Sequence, residues 1–125
     1  MIEAVHILPT NKTPEVLLNP DGFIKIKGRA IDESRTRFSD QINSWLDDYL
    51  LNPAESTEVT IALEYLNSYN SIILAAILKK LAQSDHKLKK YIIKWYIEED
   101  DDDLLERGQY ISSTFNIPIE FIMTN

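Results

Sequence analysis

Strand-like and helix-like segments alternate along most of the chain, and this alternation limits the fold more than any other feature. Two short apolar runs flank Asn19-Pro20-Asp21-Gly22, a turn sequence in which Pro presets φ and Gly accepts positive φ, so they predict a β-hairpin. The predicted elements are strands 15–18 and 23–27, helix 33–51, strand 58–66, helix 69–84, strand 89–97, helix 102–115 and strand 118–123. The order β-hairpin-α-β-α-β-α-β predicts an α/β domain with a mixed sheet, parallel neighbours, right-handed crossovers and helices packed on the sheet.

Local signals indicate where these elements end. The second hairpin strand should end at Gly28, in a loop that leads to the first helix, for which Asp32 is the expected N-cap. Asn52-Pro53 should end that helix, and Asn116 should end the last one. The alternation in strand 58–66 predicts one face formed by Val59, Ile61, Leu63 and Tyr65 and another that includes Thr60 and Ala62. Such a strand is expected to be covered on both sides along part of its length.

Composition limits the classes of partner. The 125 residues are 44% hydrophobic and 26% charged, which is typical of one globular domain, here spanning residues 1–125. A net charge of −7 and a pI of about 4.7 argue against nucleic acid and anionic membranes as partners. The sequence has no Cys, no run of about 18 apolar residues and no basic start of a signal peptide, so a cytoplasmic location is expected.

The sequence offers little for catalysis or metal binding. His6 and His86 are the only histidines, and neither has a ligand-spaced partner of the His-Glu-x-x-His kind. Three glycines cannot assemble a Gly-rich phosphate loop, and no nucleophile-elbow pattern is present. We therefore predict a protein that is not an enzyme and that needs no cofactor or metal.

One acidic run, Glu98 to Asp103, allows two interpretations. Hard cations such as Mg²⁺ bind several oxygens close together, but the alternate acidic positions and the central Gly of an EF-hand loop are missing. The favoured interpretation places Asp100 to Asp103 at the start of helix 102–115, where negative charge interacts favourably with the helix dipole. An acidic docking surface for a basic partner is compatible with this interpretation. The less favoured alternative is a small metal or acid-base enzyme that uses this run.

Small polar residues separate strand 58–66 from helix 69–84. The side chains of Asn67, Ser68 and Asn70 can each accept a hydrogen bond from a free N–H group in the first helical turn, so capping alone accounts for them. A hydroxyl at this place is also suited to reversible phosphorylation, because phosphate adds about −1.5 to −2 charge where the helix dipole and free N–H groups favour it. From these residues alone, both interpretations stay open.

Four segments of the sequence carry a family resemblance. They are Gly28-Arg29, Trp45-Leu46 with Tyr49, the Tyr-x-Asn-Ser block 65–68 and the Trp-Tyr-acidic block 95–103. Together with the flanking segments 9–16 and 117–122, they resemble the SiaC family of bacterial regulatory phosphoproteins over about Pro9 to Ile122.

The resemblance implies a STAS-like fold and a switching function. In this family a cognate kinase phosphorylates a hydroxyl after the Tyr-x-Asn block, and a PP2C-type phosphatase removes the phosphate. The unmodified form binds a partner, which in the family's type system is a diguanylate cyclase. On this chain the resemblance implies Ser68 as the phosphorylated residue and Arg29, Asn67, Tyr69 and Asn70 as partner-binding residues. The family usually has Thr followed by Ser-Ser here, whereas Tyr69 and Asn70 follow Ser68.

The alternative function is a constitutive interaction or dimerisation domain in which Ser68 only caps the helix. It predicts that Ser68→Ala costs about 1 kcal/mol of stability and leaves partner binding unchanged. The switching function predicts loss of regulation with binding retained. The sequence does not indicate an oligomeric state.

Overall fold

The computed structural model describes residues 2–32, 37–84 and 87–124. Within these residues the elements are β1 (Val5–Ile7), β2 (Glu15–Asn19), β3 (Phe23–Ala30), α1 (Arg37–Tyr49), β4 (Thr57–Leu66), α2 (Ser68–Gln83), β5 (Tyr91–Glu98), α3 (Asp102–Phe115) and β6 (Glu120–Thr124). The six strands form one sheet in sequence order, β1-β2-β3-β4-β5-β6. The first two pairings are antiparallel and the last three are parallel. The predicted hairpin and the predicted mixed α/β fold are therefore confirmed.

One face of this sheet is buried. The register joins Val16 to Ile26, Ile26 to Ile61 and Ile61 to Trp95, and all four side chains are buried. Each crossover after β3 moves to the next strand in the same direction, so crossovers of one hand place α1, α2 and α3 on this same face. Thr60 and Ala62 point to the opposite face and are only half-buried. The prediction that β4 is covered on both sides is therefore wrong.

A β-bulge changes the ends of β3 and β4. Gly28 has a φ of +116°, a conformation that favours glycine, and β3 continues past it to Ala30 instead of ending in a loop as predicted. The register pairs Gly28 with Leu63 but Arg29 with Tyr65, so Glu64 is an extra residue in β4. Because the bulge shifts the alternation by one residue, Tyr65 is exposed and Leu66 is buried. The prediction that Tyr65 shares the face of Val59, Ile61 and Leu63 is wrong for this reason.

Both ends of α3 agree with the capping signals, whereas α1 ends at Tyr49, two residues before the predicted position. Asp101 caps α3, since its side chain accepts a hydrogen bond from the Leu104 amide, and Asn116 ends α3 in the left-handed conformation with a φ of 55°. The predicted start of α1, with Asp32 as its cap, falls on residues 33–36, outside the described residues.

Candidate functional site

A network of side-chain amides builds the junction between β4 and α2. Asn67 is the N-cap of α2, and its Oδ1 accepts hydrogen bonds from the backbone N of Asn70 at 2.9 Å and from Asn70 Nδ2 at 2.8 Å. Asn67 Nδ2 donates to the carbonyl of Ile31, and Asn70 Nδ2 donates to the carbonyl of Asp32, both at 2.9 Å. The two amides therefore fasten the chain that follows β3 to the first turn of α2.

Ser68 is the first residue of α2, and its side chain is exposed. Its hydroxyl forms no hydrogen bond with another described residue. Because Asn67 provides the cap, the assignment of Ser68 as the capping residue is wrong. The first turn of α2 contains no acidic residue. The Ser68 hydroxyl therefore lies at the positive end of the helix dipole with no carboxylate from the same turn near it.

Arg107 of α3 contacts the same end of α2. Its Nη1 donates to Ser71 Oγ at 3.3 Å, and Ser71 Oγ donates to the carbonyl of Asn67 at 2.9 Å. Ser71 lies three residues after Ser68, and side chains three apart are neighbours on a helix surface. The guanidinium is therefore close to the face that carries the Ser68 hydroxyl.

Sequence reasoning missed Arg107. The signal that could have found it is topological: consecutive parallel crossovers place α3 beside α2, so a cation near the start of α3 can reach α2.

Arg29 and Tyr65 form a second exposed contact on the neighbouring strands. The Arg29 guanidinium lies 5.1 Å from the centroid of the Tyr65 ring, and Arg29 Nε is 3.4 Å from Glu64 Oε2. The bulge turns Tyr65 away from the core, toward the side on which the regular alternation of β3 already places Arg29. Tyr65 precedes the capping residue Asn67 by two positions, so the contact lies next to the start of α2.

The predicted partner-binding residues thus divide into two groups. Arg29 and Tyr69 are exposed; Tyr69 follows Ser68 in α2, and Arg29 contacts Tyr65 near the end of β4. Asn67 is half-buried, and Asn70 is only 2% exposed, with its amide nitrogen bonded within the junction. Arg29 and Tyr69 can touch a partner directly, whereas the two asparagines hold the surface in shape.

Ser68 also lies at one end of an open groove of about 720 Å³ between α2 and α3. Ile72, Ala76 and Lys79 line it from α2, and Arg107, Tyr110 and Phe115 line it from α3. The groove is mostly apolar along its length, with Ser68, Ser71 and Arg107 at one end and Lys79 at the other.

The acidic run 98–103 lies at the N-terminus of α3 and caps it. Asp101 is the cap, Asp102 and Asp103 are in the first turn, and the Asp101 amide donates to the Glu98 carbonyl. This agrees with the favoured interpretation, in which the charges interact with the helix dipole. Among the described residues, no three His, Asp or Glu side chains are grouped so that they could hold a metal ion. His6 bonds Glu15, and His86 lies outside the described residues.

A family model described as SiaC family regulatory phosphoprotein matches residues 7–124. The chain belongs to the SiaC family. The resemblance seen in the sequence motifs is thereby confirmed. No curated protein matches the chain.

Solved SiaC structures have the same fold. Apo-SiaC from Pseudomonas aeruginosa superposes with a TM-score of 0.82 at 18% identity, covering 99% of this chain and 100% of that one. SiaC bound to the diguanylate cyclase SiaD, whose activator it is in Pseudomonas aeruginosa, gives a TM-score of 0.85 at 18% identity, covering 96% of this chain and 99% of that one.

Neither α2 nor any other helix in the described part of the chain has the length and apolar character needed to span a membrane.

Proposed function

We propose that this SiaC-family protein is a partner-binding switch controlled by reversible phosphorylation of Ser68. The observation that carries the proposal is the separation of roles at the start of α2. Asn67 caps the helix, so the exposed Ser68 hydroxyl is not needed for the fold and is accessible to a kinase. A kinase can therefore modify this residue without breaking a hydrogen bond between described residues.

Electrostatics at this position favour the modified state of the folded chain. A phosphate on Ser68 brings about −1.5 to −2 charge to the positive end of the α2 dipole. The Arg107 guanidinium donates a hydrogen bond to Ser71, one turn after Ser68 in α2, and is therefore a charged donor near that phosphate. We expect the fold to tolerate phosphorylation, while the charge of the surface around Ser68 reverses.

The proposed partners follow from the family and from the surface. A cognate protein kinase and a PP2C-type phosphatase would set the state of Ser68. The regulated partner would be a diguanylate cyclase or another signalling protein, an assignment supported by the SiaC–SiaD complex of the relative. Arg29 and Tyr69 would contact it beside Ser68, with Asn67 and Asn70 positioning them. In this proposal the chain acts in the cytoplasm and is not itself an enzyme.

Mass spectrometry tests the phosphorylation site. The protein is coexpressed with a candidate cognate kinase, and its phosphopeptides are mapped. We expect phosphate on Ser68 and none in Ser68→Ala, whereas Ser71→Ala, a matched control whose hydroxyl is bonded inside the junction, should still be modified. Phosphate found elsewhere, with Ser68 unmodified, would contradict the assignment.

A constitutive interaction domain is the alternative function, and the apolar side chains exposed between α2 and α3 favour it. A pulldown of a candidate diguanylate cyclase, with unmodified and phosphorylated protein side by side, distinguishes the two. The switch predicts that phosphorylation releases the partner and that Ser68→Ala binds in the presence of active kinase. Equal recovery by both forms would favour constitutive binding.

A further inference from the structure

Exposed apolar side chains converge in the groove between α2 and α3. Ile72 of α2 is 72% exposed and Tyr110 of α3 is 65% exposed, and Phe115 is exposed further along α3. Single exposed apolar residues are normal on a protein surface, but a contiguous apolar patch with a polar rim marks an interaction site. This groove has the composition of such a site.

The dimensions of the groove suit a helix. Its α2 wall runs from Ser68 to Lys79, which at about 1.5 Å per residue is roughly 16 Å, or three turns. The middle of that wall is formed by Ala75 and Ala76, whose small side chains allow the backbone of another helix to come close. A partner helix of three to four turns can therefore lie between α2 and α3 and insert its apolar stripe.

Charge at the two ends of the groove defines the kind of helix that fits. Lys79 Nζ lies 5.5 Å from the centroid of the Phe115 ring at one end, and Arg107 bonds Ser71 at the other. Neither cation has a salt bridge to another described residue. Glu106 is the single carboxylate among the described residues that line the groove, so the lining carries more positive than negative charge. This contrasts with a net charge of −7 for the whole chain.

We propose that the α2–α3 groove binds an amphipathic helix of the partner protein, with carboxylates that reach Lys79 and Arg107. The apolar stripe of that helix would cover Ile72, Tyr110 and Phe115. The inference rests on the proposed function and deepens it, because Ser68 lies at the Arg107 end of the groove. A phosphate on Ser68 competes for Arg107 and repels the carboxylate of the incoming helix.

Two synthetic peptides test the groove on the full chain. Both are fluorescent helices of about four turns with the same leucine stripe, and one has Glu where the other has Lys on the flanks. By fluorescence anisotropy we expect the Glu peptide to bind at least about tenfold more tightly than the Lys peptide. Ile72→Glu should weaken the Glu peptide by about tenfold or more, and Lys79→Glu should shift the preference toward the Lys peptide.

The control is Ile92→Glu. Ile92 is exposed on the uncovered face of the sheet, in register with Glu58, so this variant adds the same charge far from the groove and should bind as wild type does. Circular dichroism verifies that each variant is folded. Equal affinity for both peptides, no binding of either, or an Ile72→Glu variant that binds like wild type would overturn the proposal. A dimer in sedimentation that Ile72→Glu converts to monomer would also overturn it, because a second copy would then occupy the groove.

Protein carrying phosphoserine at position 68 separates this inference from the proposed function. We expect the Glu peptide to bind it at least about fivefold more weakly than the unmodified chain. Unchanged affinity would overturn the coupling between Ser68 and the groove, even where the mapped phosphate lies on Ser68. Peptide binding to the unmodified chain, with a kinase that leaves Ser68 unmodified, would instead support the groove and contradict the switch.

Discussion

Asn67 Oδ1 accepts two hydrogen bonds from Asn70, one from its backbone amide and one from its side-chain amide. This pair fixes the start of α2, so the hydroxyl of Ser68, the first residue of the helix, is not needed as a cap. A hydroxyl that is chemically available and structurally dispensable is what a reversible modification requires. Capping therefore belongs to Asn67, and the phosphorylation that we propose belongs to the adjacent Ser68.

Asn67 and Ser68 should differ in their effect on stability. Asn67→Ala removes the cap and the bond to the Ile31 carbonyl, so we expect a loss of about 1–2 kcal/mol in the free energy of unfolding. Ser68→Ala removes an exposed hydroxyl and should change that free energy by less than about 0.5 kcal/mol. Urea unfolding of both variants measures the difference. A loss for Ser68→Ala as large as for Asn67→Ala would contradict the division of roles.

Gly108 should not tolerate a larger residue. A Cβ at this position would lie 2.6 Å from Phe121 Cε1 and 3.1 Å from Trp95 Cε2, so either the Phe121 ring or α3 would have to shift. Gly108→Ala is expected to lower the free energy of unfolding by about 1–3 kcal/mol despite the better helix propensity of Ala. Ser113→Ala, on the exposed side of α3, is the matched control and should change it by less than about 0.5 kcal/mol. A Gly108→Ala protein as stable as wild type in urea would contradict the close packing.

Tyr49 should contribute a buried hydrogen bond beyond its apolar contacts. Its hydroxyl lies 2.7 Å from Thr57 Oγ1 and accepts a bond from the Ala54 amide at 3.1 Å, which ties the end of α1 to the start of β4. Tyr49→Phe leaves the buried Thr57 hydroxyl without this partner, at a cost of about 1–3 kcal/mol. Tyr110→Phe, which removes an exposed hydroxyl, should be close to neutral. Thermal unfolding that ranks the two variants equally would contradict this role.

Elements with long, regular periodicity could be predicted from the sequence, whereas features that depend on the pairing of two strands could not. Helices α2 and α3 and strand β5 start and end within two residues of the predicted positions, because their patterns persist over many residues. Strand β1 was missed, since Val5–Ile7 is too short to show alternation and exists through its pairing with β2. The bulge at Glu64 is equally invisible in one strand, because a bulge is a mismatch between two strands.

The candidate site was predictable only in part for the same reason. Ser68 is singled out by the local motif, and its place at the start of a helix follows from periodicity. Arg107 lies 39 positions further along the chain and reaches α2 only through the packing of α3 against it. The groove likewise requires two helices, and neither helix shows in its own sequence that Ile72 would stay exposed rather than join the core.

Titration of Glu15 should reveal its contact with His6, which lies on the neighbouring strand. The hydrogen bond from His6 Nε2 at 2.8 Å, more than the charge of Lys25, lowers the pKa of Glu15 below its usual value, while partial desolvation opposes the shift. Because the folded pKa lies below the unfolded pKa, the contribution to stability is present above the unfolded pKa of about 4.3 and is lost as the pH falls through the folded one. Carbon-detected NMR titration of Glu15 should therefore give a higher pKa in His6→Ala than in wild type, with a smaller rise in Lys25→Gln. An unchanged pKa in His6→Ala would show that the β1–β2 contact does not hold this carboxylate in its charged form.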